Sequence, residues 1–255
     1  MKTNTLLIDI INYYLKIRFI LFKRWIKKID FTTRHRIFYD NFATLNNWTI
    51  TDGEFYNDNP VWFSKDTIHA TNEGLQIDCY YDYRQHTSWQ RTDYANYTSG
   101  MVTTRDNFLM SNGVWVINAK PCDSWCAIWL LKKDRYEPGY TKQTIIPEID
   151  ILEILDKKHK AKHTIHYGYS DEVYKTKWMG TKGIVRNDNN FHEFAVELLS
   201  DGYNFYIDGI QTGYFRSDDP EFITNYSNYI LLNNASDKYT TKNTSFIIKS
   251  VTAYK

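Results

Sequence analysis

The sequence predicts an all-β sandwich preceded by one short amphipathic helix, and three features of its patterning carry that prediction. From Ile37 onward apolar residues recur with a period of two, as in Leu75-Gln76-Ile77-Asp78, Phe194-Ala195-Val196-Glu197-Leu198 and Phe205-Tyr206-Ile207. Turn-forming pairs punctuate these runs at Asp52-Gly53, Asn112-Gly113, Asp201-Gly202 and Asp208-Gly209. Aromatic residues make up 17% of the chain, with 21 Tyr, 14 Phe and 8 Trp, a bias that favours strands and supplies flat rings for stacking against sugars or bases. Many short strands without intervening helices exclude an alternating α/β plan.

With 255 residues, 42% of them apolar and 24% charged, the chain can bury a substantial core and is not of disordered composition. A net charge of +1 gives no overall field directed at nucleic acid. The longest apolar stretch near the N-terminus is Phe19-Ile20-Leu21-Phe22, far short of the roughly 20 residues a spanning helix needs, and no signal peptide is read there. Cys79, Cys122 and Cys126 are too few for a disulfide framework. Buried free thiols are expected, with a Cys122–Cys126 pair as the alternative.

Charge divides the chain. Residues 1–36 hold nine Lys/Arg and two Asp, a balance of +7, and the remainder carries −6. Within the first segment Leu7, Ile10, Ile11, Tyr14, Leu21, Trp25 and Ile29 recur at helical spacing, which predicts a helix with a basic face. It suits an anionic membrane surface or an acidic partner, or alternatively folds back on its own acidic domain. A second domain boundary is not read after residue 37, so residues 37–255 form the β domain.

The segment Pro147-Glu148-Ile149-Asp150-Ile151-Leu152-Glu153-Ile154 concentrates acids on a strand. Glu148 and Asp150 share one face. Glu153 falls on the other unless one extra residue, a β-bulge at Ile151–Leu152, returns it. Three carboxylates then line one face, a short Asp between two longer Glu, as two-carboxylate glycosidic chemistry requires. A solvated strand face is the alternative, but like charges in line repel and Lys would be the usual neighbour.

Glu148-x-Asp150-x-x-Glu153 resembles the catalytic signature of glycoside hydrolase family 16 in its β-bulge variant, found in laminarinases, agarases and carrageenases. The flanks resemble that family over residues 38–255: Phe38-Tyr39-Asp40-Asn41-Phe42 through Trp48, Tyr97-Thr98-Ser99-Gly100, Ser124-Trp125-Cys126-Ala127-Ile128-Trp129, Thr164-Ile165-His166-Tyr167-Gly168 and Tyr229-Ile230-Leu231-Leu232-Asn233. The resemblance implies a concanavalin A-like jelly roll with a concave cleft. It further implies an endo-acting retaining hydrolase of a β-linked polysaccharide, a laminarin-type β-1,3-glucan first and a galactan second. Glu148 is then the nucleophile, Glu153 the general acid/base, and Asp150 the group that orients Glu148. A non-catalytic carbohydrate-binding module and a transglycosylase are the rival readings on the same fold.

Trp125 and Trp129, four apart on one strand, share a face, and stacking on sugar is expected of at least one, with core packing the alternative. Trp178 is read in a loop rimming the cleft. By resemblance His166 and Asn233 are cleft residues that contact substrate. His159, His163 and His166 do not form a shared metal site on this reading, because His163 and His166 point to opposite faces of a strand. No cofactor is implied; a structural calcium on the convex face occurs in the family, with no acidic loop here to name its ligands.

Overall fold

Alternation of apolar and polar side chains sorts the strands into two stacked layers, as the period-two reading requires. The computed structural model describes residues 28–55, 61–133, 148–154, 161–167, 175–180, 189–216, 227–236 and 242–255. In chain order the strands are β1 (Arg36–Asp40), β2 (Thr49–Ile50), β3 (Glu54–Phe55), β4 (Val61–Phe63), β5 (Ile68–Thr71), β6 (Gly74–Thr87), β7 (Thr92–Thr103), β8 (Gly113–Lys120) and β9 (Trp125–Lys132). They continue with β10 (Glu148–Ile154), β11 (Ala161–Tyr167), β12 (Lys175–Gly180), β13 (His192–Leu199), β14 (Gly202–Ile207), β15 (Ile210–Arg216), β16 (Asn228–Ala235) and β17 (Thr244–Tyr254). One turn of 3-10 helix, Lys65–Thr67, leads into β5.

The first layer runs β2-β7-β16-β9-β10-β11-β12, all antiparallel. The second runs β6-β17-β8-β13-β14-β15, with β5 beside β6 and β1 beside the last residues of β17. Between them lies the core. Ile128, Leu130, Ile149, Ile165, Ile230 and Leu232 from the first layer meet Trp115, Ile117, Phe194, Phe205, Phe246 and Ile248 from the second. Each such side chain contributes about 1.5–3 kcal/mol by leaving water, so this interdigitation is what fixes register. The jelly-roll sandwich is therefore as expected, and the three cysteines are buried free thiols.

Local chemistry closes the turns. Asp208 (φ 50°) and Gly209 (φ 73°) both take left-handed backbone, the type I′ geometry that matches strand twist between β14 and β15. At Gly100, on β7, an added Cβ would stand 2.3 Å from the Ile68 side chain, so only glycine lets the chains approach.

The expected N-terminal helix falls mostly on residues 1–27, which lie outside the described residues. Its described end, residues 28–36, is not helical and corrects that reading. Lys28 forms a β-bridge with Ile210, Phe31 opens a turn, and Arg36 starts β1. Ile29, read as part of a helical stripe, packs instead on Val114, Val116, Ala195 and Tyr206 on the outer face of the second layer. Phe31 contacts the Tyr254 ring (4.9 Å between centroids), and Arg34 pairs with Glu197. An apolar outer patch recruits the segment as an extended strap, and tertiary burial overrides local helical spacing. Among the described residues no helix is long and apolar enough to cross a membrane.

Candidate active site

The acidic strand lies in the middle of the first layer, flanked by β9 and β11. On the β9 side Asp150 pairs with Trp129 and Leu152 with Ile128, so Ile151 is the extra residue. On the β11 side Asp150 pairs with Thr164 and Glu153 with Lys162, so Ile151 and Leu152 together oppose His163. The bulge falls at the expected place. Its signature is that consecutive residues Ile151 and Leu152 both enter the core.

The carboxylates occupy different surroundings. Glu148 is part-exposed at the strand's start, and His166, directly opposite, places Nε2 3.8 Å from its Oε1 and 3.3 Å from Oδ2 of Asp150. Asp150 is only 3% exposed. Glu153, 6% exposed, accepts the Thr164 hydroxyl on Oε2 (2.8 Å) and the Trp125 indole N–H on Oε1 (3.3 Å). Burial raises its pKa; the Thr164 and Trp125 hydrogen bonds pull it back, and the Glu148 charge pushes it further up. A carboxyl held toward its protonated form therefore stands on the same short strand as a wetter one.

Trp125 and Trp129 share the face of β9 that points away from the core, the face of the three carboxylates, and are both half-buried. Trp129 donates its indole N–H to Oδ1 of Asn233 at 2.7 Å. Asn233 is fully buried on β16, and that bond fixes which way its amide points. The start of β9 is anchored beneath by Ser124, whose hydroxyl lies 2.5 Å from Oδ1 of Asn234 and 2.7 Å from Thr244. Glu148, Asp150, Glu153, Trp125, Trp129, His166 and Asn233 are thus brought onto three adjacent strands and their neighbour β11. Trp178 is not in a loop. It lies on β12 at the register position opposite Thr164, a correction with a simple cause: backbone pairing to β11 makes a strand of a segment with no apolar alternation. His159 lies outside the described residues.

Sequence reading missed Thr164. The signal was present, since Thr164 stands two residues before His166 and so shares its strand face. His163 and His166 point to opposite faces as expected, and His163 faces the core, where Nδ1 meets Ile151 O and Nε2 meets the Thr212 hydroxyl, both at 2.7 Å. Among the described residues, Glu148, Asp150 and His166 are the one group of three such side chains with ligand atoms within 4.8 Å of one another. That convergence lies in the cleft, and the described residues name no ligands for a convex-face calcium.

No family model and no curated protein matches this chain. Solved structures do. The catalytic domain of an endo-1,3-β-glucanase (laminarinase) from Thermotoga petrophila RKU-1 is 19% identical, with a TM-score of 0.68 over 87% of this chain and 98% of that one. A non-specific endo-β-1,3(4)-glucanase from family GH16, SCLam, is 17% identical, with a TM-score of 0.70 over 90% and 94% of the two chains. A LamA variant from Z. galactanivorans, in complex with laminaritriose and laminaritetraose, is 18% identical, with a TM-score of 0.70 over 86% and 98%. At these identities the likeness is one of fold: the chain has the jelly-roll sandwich of these glucanases.

Proposed function

We propose that this chain is an endo-acting, retaining glycoside hydrolase of a β-linked polysaccharide. The observation that carries the reading is the contrast along one bulged strand. Glu153 is buried, hydrogen-bonded and shifted toward its acid form, while Glu148 stands wetter at the strand's start. Glycosidic chemistry needs that division of labour. Glu153 protonates the departing glycosidic oxygen while a Glu148 oxygen attacks the anomeric carbon, giving a covalent glycosyl-enzyme. Glu153, now ionised, takes a proton from water, whose oxygen displaces Glu148 from the sugar. Asp150 and His166 orient Glu148 from its flank.

A laminarin-type β-1,3-glucan is the first substrate class, consistent with the names and bound oligosaccharides of the structural neighbours, and a galactan is the second. Trp125 and Trp129 hold the sugar chain, and Asn233, too buried to reach it as expected, acts by fixing the Trp129 ring; Trp178 is carried by β12, beyond β11. If a sugar hydroxyl replaces water in the second step, the same residues perform transglycosylation. A non-catalytic module would gain nothing from burying an acid beside two other carboxylates. We assign the basic segment, residues 1–36, to docking on an anionic membrane surface or an acidic partner. A panel of soluble β-glucans and galactans assayed for new reducing ends tests the reading. Release from laminarin supports it, and binding without release from any polymer supports the module.

A further inference from the structure

The bulge that returns Glu153 to the cleft face is held from behind by a side chain that takes no part in the chemistry above. His163 is fully buried on β11, and on that side of β10 it is the single residue that opposes Ile151 and Leu152. A bulge breaks the regular ladder of backbone hydrogen bonds, so its carbonyls need other donors. Nδ1 of His163 lies 2.7 Å from the Ile151 carbonyl oxygen. A carbonyl only accepts, so Nδ1 carries the proton and Nε2 accepts from the Thr212 hydroxyl at 2.7 Å. Thr212 belongs to β15 in the opposite layer. The imidazole also stacks on Phe205 of that layer, with centroids 4.6 Å apart and planes 22° apart. One ring therefore ties the bulge to the far sheet at three points: a hydrogen bond at each nitrogen and a stacked face.

We propose that His163 is a positioning residue for Glu153: by clamping the Ile151 carbonyl it fixes the bulge, and so the placement of Glu153 relative to Glu148. The inference rests on the hydrolase reading for its catalytic consequence. The neighbours of His163 in sequence reinforce it. Thr164 pairs with Asp150 and bonds Glu153 directly, while Lys162 pairs with Glu153. The three consecutive residues of β11 thus hold the general acid from both faces of the sheet. Burial keeps the ring neutral, with its pKa down to about 4, so the Nδ1–H tautomer persists at neutral pH.

The test compares His163→Leu, which has no donor, with His163→Gln, whose amide still donates, and with Thr212→Val. Turnover, KM and Tm are measured on each, together with the carboxyl carbon-13 NMR titration of Glu153. His163→Leu should lower kcat about 10- to 100-fold with KM within about twofold, the cost of misplacing a reacting group by about 1 Å. Its Glu153 titration should move, and His163→Gln should recover both. A lowered Tm with unchanged kcat and an unchanged Glu153 titration would reduce His163 to core packing and overturn the proposal. If His163→Leu does not fold, Thr212→Val decides by the same readouts with a smaller change. If the unaltered chain cleaves no glycan, the hydrolase reading fails. The Glu153 titration still decides the positioning role: a shift supports it and no shift removes it.

Discussion

The Thr164 hydroxyl donates to Oε2 of Glu153 across 2.8 Å, joining the strand beside the bulge to the buried acid the bulge presents. This bond favours the ionised carboxylate and so restrains the upward push of burial on its pKa. Thr164→Val should raise that pKa further. A hydrogen bond to a charged group is worth about 1.5–3 kcal/mol, so the basic limb of the kcat/KM profile should move up by about one to two pH units. An unmoved limb would show that another group sets it.

Retention of anomeric configuration is expected. Two carboxylates on one short strand suit the retaining separation of about 5–5.5 Å better than the about 6.5–9.5 Å of inverting enzymes. Glu148→Gln should abolish turnover, and Asp150→Asn should be intermediate. Glu153→Ala should slow turnover about 10²–10⁴-fold, least for activated leaving groups, with partial rescue by azide. Proton NMR of the first product decides: an inverted anomer would sink the assignment.

Burial of Glu153 carries a stability cost with a defined sign. Burial raises its folded pKa above that of an ordinary glutamate, so the unfolded chain ionises first and stability falls as pH rises through that window. Glu153→Gln should therefore be more stable than the parent at pH 7, read as a higher Tm. The gain should vanish below pH 4. Equal Tm at both pH values would contradict the buried-acid description.

His163 has the opposite sign. Its folded pKa is lowered from 6.5 to about 4, so its contribution is complete above 6.5 and is lost as pH falls toward 4. By pH 5 the loss should be on the order of 2 kcal/mol. Denaturant unfolding at pH 7 and pH 5 should show a smaller pH dependence in His163→Gln than in the parent.

The two cleft tryptophans should separate by readout. Trp129 holds Asn233, so Trp129→Ala should act on KM with polymer, with a stacking loss of about 0.5–1.5 kcal/mol. Trp125 touches Glu153 itself, and Trp125→Phe, which keeps a ring but no N–H donor, should shift the pH profile as well. A Tm loss with unchanged KM in Trp129→Ala would assign that ring to the core.

What could be read from the sequence follows from where the information lies. Glu148-x-Asp150-x-x-Glu153 breaks the period of two at one point, and only a bulge restores it, so both the strand and its defect were legible. Trp125 and Trp129 were legible because four residues along a strand preserve the face. The face of Thr164 was legible from His166 two residues on, but its bond to Glu153 and the contact of His163 with the bulge were not, because they depend on which strand lies beside β10. Trp178 was misplaced because β12, a six-residue strand paired with β11, carries little alternation of its own. The end of the predicted helix was misread because its partner patch, Val114, Val116 and Ala195, is assembled from β8 and β13, far away in sequence.

The strap of residues 28–36 has a directional consequence. It crosses the sheet that faces away from the carboxylates, and it runs back to Lys28 at the margin formed by Ile210. The described chain therefore begins, at Lys28, on the back of the sandwich, the layer opposite the carboxylates.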